Sequence, residues 1–163
     1  MTIAELNGLD RAQFVAALGW IFEGSPWVAE CAWGQRPFAG LHELHAAMIG
    51  VVAAAPREEQ LALLRAHPDL GTRARMSDAS AGEQAGAGLD RLTANELERL
   101  NRLNDLYRQR FGYPFLFAVK DSSTQQILGA LEERLTNGQQ DEFQEALRQV
   151  SRIAQFRLEA LLG

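Results

Sequence analysis

The chain has 163 residues, 47% of them hydrophobic and 23% charged, with a net charge of −5. At ~100–200 residues per domain this is one compact domain, and the mixture excludes global disorder. The acidic balance argues against a nucleic-acid or anionic-membrane binder and favours a small metabolite as partner. Cys31 is the only cysteine, so no intrachain disulfide forms, which points to a reducing compartment. The thiol itself is expected to be a small buried group. No secretory signal is visible, and the longest apolar stretch, 46–55, is too short to cross a bilayer. The expectation is a soluble cytoplasmic protein.

Helical signals dominate the chain. Asp10 caps a first helix with Gln13 completing a capping box, and Phe14, Val15, Leu18, Ile21 and Phe22 recur at helical spacing behind it. Ser25-Pro26 is a second start, with proline in the first helical position, and Gly34 and Pro37 keep that helix short. Residues 41–55 read as a third helix, buried along much of its length and stopped by Pro56. Residues 57–66 read as a fourth, ended by His67-Pro68, because a residue before proline is pushed out of helical geometry.

From 69 to 90, Gly71, Gly82, Gly86 and Gly88 break the periodicity. This predicts a loop with a short helix starting near Ser80. Thr93 and Glu96 form the next capping box. Leu97, Leu100, Leu103, Asn104 and Tyr107 line the helix behind it, and Gly112 ends it. Residues 113–119 are a nearly continuous apolar run with a proline inside. No second strand candidate exists to pair with it, so it is expected to be an extended, buried segment between helices. Two further helices follow, 124–135 and 141–162, separated by Asn137-Gly138. On the second, Phe143, Leu147, Val150, Ile153 and Leu158 lie near one face. The sum is a single all-α domain, 1–163, of seven or eight helices.

Histidine is scarce, with three in the chain. His42 and His45 sit at i and i+3 on a helix and share a face. The spacing is not that of HExxH and no third ligand is near, so a surface or half-buried pair is expected and no metal site. His67 ends a helix and is followed by Pro68-Asp69-Leu70-Gly71, a stiff turn that sets the direction of the imidazole. Imidazole is suited to moving protons near neutral pH. The same position also suits a histidine that only complements the helix dipole, and spacing leaves both readings open.

Ser80-Ala81-Gly82-Glu83 fits a capping box, which is a sufficient structural role for Ser80 and Glu83. The same helix start would also offer N–H groups to an anion while Glu83 and Gln84 reach a ligand. The run from Phe111 to Lys120 is rich in aromatic residues and stiffened by Pro114. It is either a core plug or a pocket wall whose extended backbone hydrogen-bonds a planar, amide-rich ligand. Gly86-Ala87-Gly88 follows no strand, so a dinucleotide site is excluded. There is no Walker motif, no nucleophile elbow and no zinc-like cysteine spacing.

Taken together, Ala66-His67-Pro68-Asp69-Leu70-Gly71, then Ser80-x-x-Glu83-Gln84-x-x-Ala87-Gly88-Leu89, then Asn104-x-x-Tyr107-x-x-x-Phe111-Gly112-Tyr113-Pro114-Phe115 and Ala118-Val119-Lys120 resemble the OHCU decarboxylase family. The family substrate is 2-oxo-4-hydroxy-4-carboxy-5-ureidoimidazoline. The loop between His67 and Ser80 is a few residues shorter than in many members. The resemblance implies a cofactor-free all-α enzyme, a homodimer, acting last in the oxidation of urate to (S)-allantoin. It gives His67 the catalytic role, with Pro68 beside it; from the chemistry, Glu83 is expected to tune or orient the imidazole. It makes Ser80, Ala81, Gly82, Glu83 and Gln84 the substrate-binding helix start. Phe115, Leu116, Phe117, Ala118 and Val119 then supply backbone contacts, and Arg157 faces the substrate's carboxylate or its developing charge. Two other readings stand beside it: a helical module without catalysis, and a related enzyme acting on another ureido or hydantoin acid.

Overall fold

The computed structural model describes residues 1–71 and 77–163. Among them the protein is all-α, with no strand. The helices are α1 (Ile3–Asn7), α2 (Arg11–Leu18), α3 (Trp27–Trp33), α4 (Leu41–Ala54), α5 (Arg57–Arg65), α6 (Asp78–Gly86), α7 (Ala94–Phe111), α8 (Thr124–Arg134) and α9 (Gln139–Leu162). The chain divides into two compact units, Met1–Ala66 with Ser151–Gly163, and His67–Val150. No described helix is long and apolar enough to cross a membrane.

In the first unit, local capping explains where helices begin. The Asp10 and Gln13 box is present as expected. Helix α1 has the same device, Thr2 accepting from Glu5 while the Glu5 carboxylate takes the Thr2 amide. It is too short for a hydrophobic period to register, so the pattern did not announce it. Pro26 is the residue before α3 and not its first helical residue. Cys31 is exposed, which corrects the expectation of burial. The inward face of α3 is taken by Val28, Ala29 and Ala32, and Cys31 lies off that face. Helix α4 buries Leu44, Met48 and Val52, one stripe at four-residue spacing rather than much of its length.

In the second unit, α6 starts earlier than expected. Its N-cap is Ser77, whose hydroxyl accepts the Ser80 amide at 3.1 Å. Ser80 is therefore inside the first turn, and the capping box read for Ser80 and Glu83 does not form. The part of the expected loop at 72–76, which includes the shortened stretch, lies outside the described residues. Helix α7 has the Thr93 and Glu96 box and ends at Gly112 with φ 84°. Its buried face is Leu100, Leu103, Asn104, Tyr107 and Phe111, while Leu97 is half-buried.

Segment 113–119 is extended and buried, with only Phe117 half-exposed. The left-handed Gly112 turns the chain out of the helix, and Pro114 keeps Tyr113 from re-entering it. On α9 the buried apolar line is Phe143, Ala146, Val150, Ala154 and Leu158. Ala146 and Ala154 complete this line, while Leu147 and Ile153, expected on it, are half-buried at its edges.

Gly71 is a tight backbone position in this unit. Its φ is +72°, and a Cβ there would stand 2.5 Å from Cδ2 of Leu100, itself buried. Gly71→Ala should lower stability by about 1–3 kcal/mol, the sum of left-handed strain and overpacking. Urea denaturation of the variant against the native protein measures this.

Candidate active site

His67 is buried at 5% exposure, directly after the C-cap of α5. The turn that follows it is tied at three points by α6 and α7. Asn104 donates from Nδ2 to the Leu70 carbonyl at 3.0 Å. The Gly71 amide donates to Oε1 of Gln84 at 2.9 Å. Arg108 donates from Nε to the Asp69 carboxylate at 3.1 and 3.3 Å. A turn fixed by its neighbours on both sides of Leu70 has little freedom to rotate, which is what a proton-transferring imidazole needs.

On α6, Ser80 and Gln84 are buried, Glu83 is half-buried, and Ala81 and Gly82 are exposed. The first three share a face because they are three and four residues apart. The Gln84 side chain is oriented by its bond to Gly71, and its NH2 makes no hydrogen bond among the described residues. Pro68 is half-buried.

The extended segment is held from one side. The Leu116 carbonyl accepts from Nη1 of Arg134, and the Ala118 amide donates to Oε1 of Gln149 at 2.9 Å. The Val119 carbonyl accepts from the Ser122 amide at 3.0 Å, closing the end of the segment. Arg134 is in turn bound to the carboxylate of Glu142, which has 0% exposure, and lies 4.6 Å from the Phe115 ring centre. Tyr107 also donates its hydroxyl to Glu142, and Asn137 donates from Nδ2 at 3.1 Å. Burial, then the hydrogen bond to Glu142 and that carboxylate's charge, push the Tyr107 hydroxyl far above its ordinary titration range. An open polar cleft of about 490 Å³ beside this network is lined by Arg134, Asn137, Glu145 and Arg148 among others, and by none of the expected site residues.

Every expected site residue except Arg157 lies in the unit His67–Val150. Arg157 is buried in the other unit, where Nη2 meets Oε2 of Glu23 at 2.9 Å and Nη1 donates to the Trp20 carbonyl at 3.1 Å. Of the other histidines, His42 is exposed and Nε2 of His45 lies 2.8 Å from the Ser151 carbonyl. No group of three metal-ligating side chains occurs among the described residues.

Sequence reasoning missed Glu23, Arg134, Glu142 and Gln149. One signal was available on α9: Glu142, Gln149 and Arg157 fall on the same helical face as Phe143, Ala146 and Val150. A charged or amide side chain on an apolar stripe must find a partner when that stripe is buried.

Comparison with known proteins adds four observations. A sequence model described as OHCU decarboxylase matches residues 7–159. The chain is 50% identical over 158 residues to the 2-oxo-4-hydroxy-4-carboxy-5-ureidoimidazoline decarboxylase of Haloferax volcanii, covering 97% of this chain and 94% of that one. It is 48% identical over 161 residues to the protein of the same name from Halalkalicoccus jeotgali, covering 99% and 92%. A crystal structure of (S)-allantoin synthase superposes with a TM-score of 0.83 at 33% identity, over 100% of this chain and 54% of that one.

The buried network makes two outcomes measurable. Glu142→Leu strands the Arg134 guanidinium and should cost about 3–5 kcal/mol, whereas adding Arg134→Met should recover much of that loss, because an apolar pair needs no charge compensation. Urea midpoints of the single and double variants read this. Raising the pH gives the second outcome. The folded state holds Tyr107 protonated above the ordinary value of 10.0, so its stabilisation is complete below pH ~10 and is lost as pH rises further, by up to about 1.4 kcal/mol per unit. Tyr107→Phe should lose this component of the alkaline decline, measured by denaturation at pH 9 to 11.

Proposed function

The chain belongs to the OHCU decarboxylase family, and from that premise we propose how its residues carry the reaction. It is a carboxy-lyase of urate degradation that converts 2-oxo-4-hydroxy-4-carboxy-5-ureidoimidazoline to (S)-allantoin. The observation that carries the residue assignment is the buried His67 on a turn tied at Asp69, Leu70 and Gly71.

The substrate bears a carboxylate and a hydroxyl on one ring carbon. When the bond to the carboxylate breaks and CO2 leaves, its electron pair enters the ring. The neighbouring carbon–nitrogen double bond accepts the pair as that nitrogen takes a proton. The enol so formed loses its hydroxyl proton, becoming the carbonyl of the product, and gains a proton at the carbon that bears the ureido group. That carbon is the stereocentre. The heterocycle is thus its own electron sink.

Three tasks fall to the protein. The carboxylate must be held out of the ring plane, a positioning effect supported by Ser80, Gln84 and the 115–119 backbone as substrate contacts, with Pro68, Ala81 and Gly82 beside them. The developing negative charge needs donors already aimed at it. The Gln84 NH2, oriented by Gly71, suits that task. The third task is proton transfer on one face. His67 takes the hydroxyl proton and delivers one to the ureido-bearing carbon, with Glu83 setting its orientation and basicity. General acid–base catalysis of this kind contributes ~10²–10⁴-fold.

The family's homodimer is the assembly we propose, read by sedimentation at twice the mass of one chain. A single, exposed thiol at Cys31 favours the cytoplasm.

His67→Asn tests the catalytic assignment. It should slow turnover by ~10²-fold or more while leaving the circular dichroism of the fold intact. The substrate is generated in place from urate with urate oxidase and hydroxyisourate hydrolase, and the handedness of the allantoin is followed. Near-native turnover by this variant would remove His67 from the chemistry.

A further inference from the structure

We propose that Gln149 and Arg134 are positioning residues for catalysis, which pin segment 115–119 so that the main chain of Phe117 is the part that meets the substrate's ureido group. The proposal rests on the reading above in which this segment contacts the substrate.

The argument starts from extended-chain geometry. Along an extended segment successive residues face opposite ways, so Leu116 and Ala118 present their N–H and C=O groups to one side and Phe117 to the other. The first side is occupied. Arg134 takes the Leu116 carbonyl and Gln149 takes the Ala118 amide. Both anchors are themselves buried and held. Glu142 binds Arg134, and Nε2 of Gln149 donates to Oε1 of Glu145 at 2.9 Å.

The other side has no hydrogen-bond partner among the described residues. The N–H and C=O of Phe117 make no hydrogen bond among the described residues. The residues on either side of it, Leu116 and Ala118, are each 3% exposed, whereas Phe117 is half-buried. Polar main-chain groups in such a place call for a partner. One donor and one acceptor on a single extended residue match the edge of a planar amide, which offers one acceptor and one donor in return. A ureido group has that edge. Two fixed bonds on the far side keep the Phe117 pair from rocking, and they do so without touching substrate.

The test separates positioning from simple stability. Gln149→Leu keeps the volume and removes the acceptor. It should raise KM for the ureidoimidazoline by about tenfold with kcat changed less than about threefold, because binding in ground and transition states is lost together. The enantiomeric excess of the allantoin should fall with it. Gln149→Asn, whose amide is one carbon short, should move KM the same way and serves if the leucine variant does not fold. The double exchange Glu145→Gln with Gln149→Glu restores an acceptor at 149 and a donor at 145, and should return KM to within about twofold of native. A tie that is only structural predicts a lower melting temperature and a smaller active fraction with KM and product handedness unchanged, and that result overturns the proposal. Failure of the underlying site reading looks different: His67→Asn would then retain turnover. A dead His67→Asn beside a Gln149→Leu of native KM defeats this proposal alone.

Discussion

The carboxylate of Glu142 has 0% exposure, and much of the unit His67–Val150 is arranged around satisfying it. Removing such a charge from water costs several kcal/mol unless it is paired and hydrogen-bonded. Arg134 supplies the opposite charge, and Tyr107 and Asn137 supply further donors. Those partners come from α7, from α8 and from the link before α9. One buried charge therefore sets the register of three helices at once. It also reaches the extended segment, since the same Arg134 binds the Leu116 carbonyl and lies over the Phe115 ring.

Helix α7 joins this network to the histidine. Asn104 and Tyr107 are one turn apart on its buried face. Asn104 holds the turn that follows His67, and Tyr107 packs edge-on against Phe115 while donating to Glu142. The turn after His67, proposed as catalytic, and the candidate ligand-binding backbone are thus referenced to one rigid element. A reaction whose outcome is the handedness of a single carbon depends on that kind of common frame, because the proton donor and the ring must keep a fixed relation.

The outline of the fold was legible in the residues themselves. Capping boxes at Asp10 and Gln13 and at Thr93 and Glu96 form where their patterns predicted. Gly112 ends α7, and 113–119 is extended because proline and the absence of a partner strand left no regular alternative. The errors were also local. A serine-to-glutamate box at Ser80 was outcompeted by Ser77, which offers the same hydroxyl three residues earlier. Cys31 was expected inside because its type is usually buried, yet the smaller face of α3 was the one that turned inward.

What the sequence determined by itself was the set of short-range decisions: where helices start and stop, which positions carry apolar stripes, and that His67 stands on a stiff turn beside motifs of a decarboxylase family. These depend on contacts within four residues or so, and a one-dimensional string records them. Tertiary structure decided which buried polar groups meet. Glu142 with Tyr107, Ala118 with Gln149 and Arg157 with Glu23 are 35, 31 and 134 residues apart. No local rule selects such partners. They are chosen by the requirement that every charge and amide drawn into the core must find its complement there.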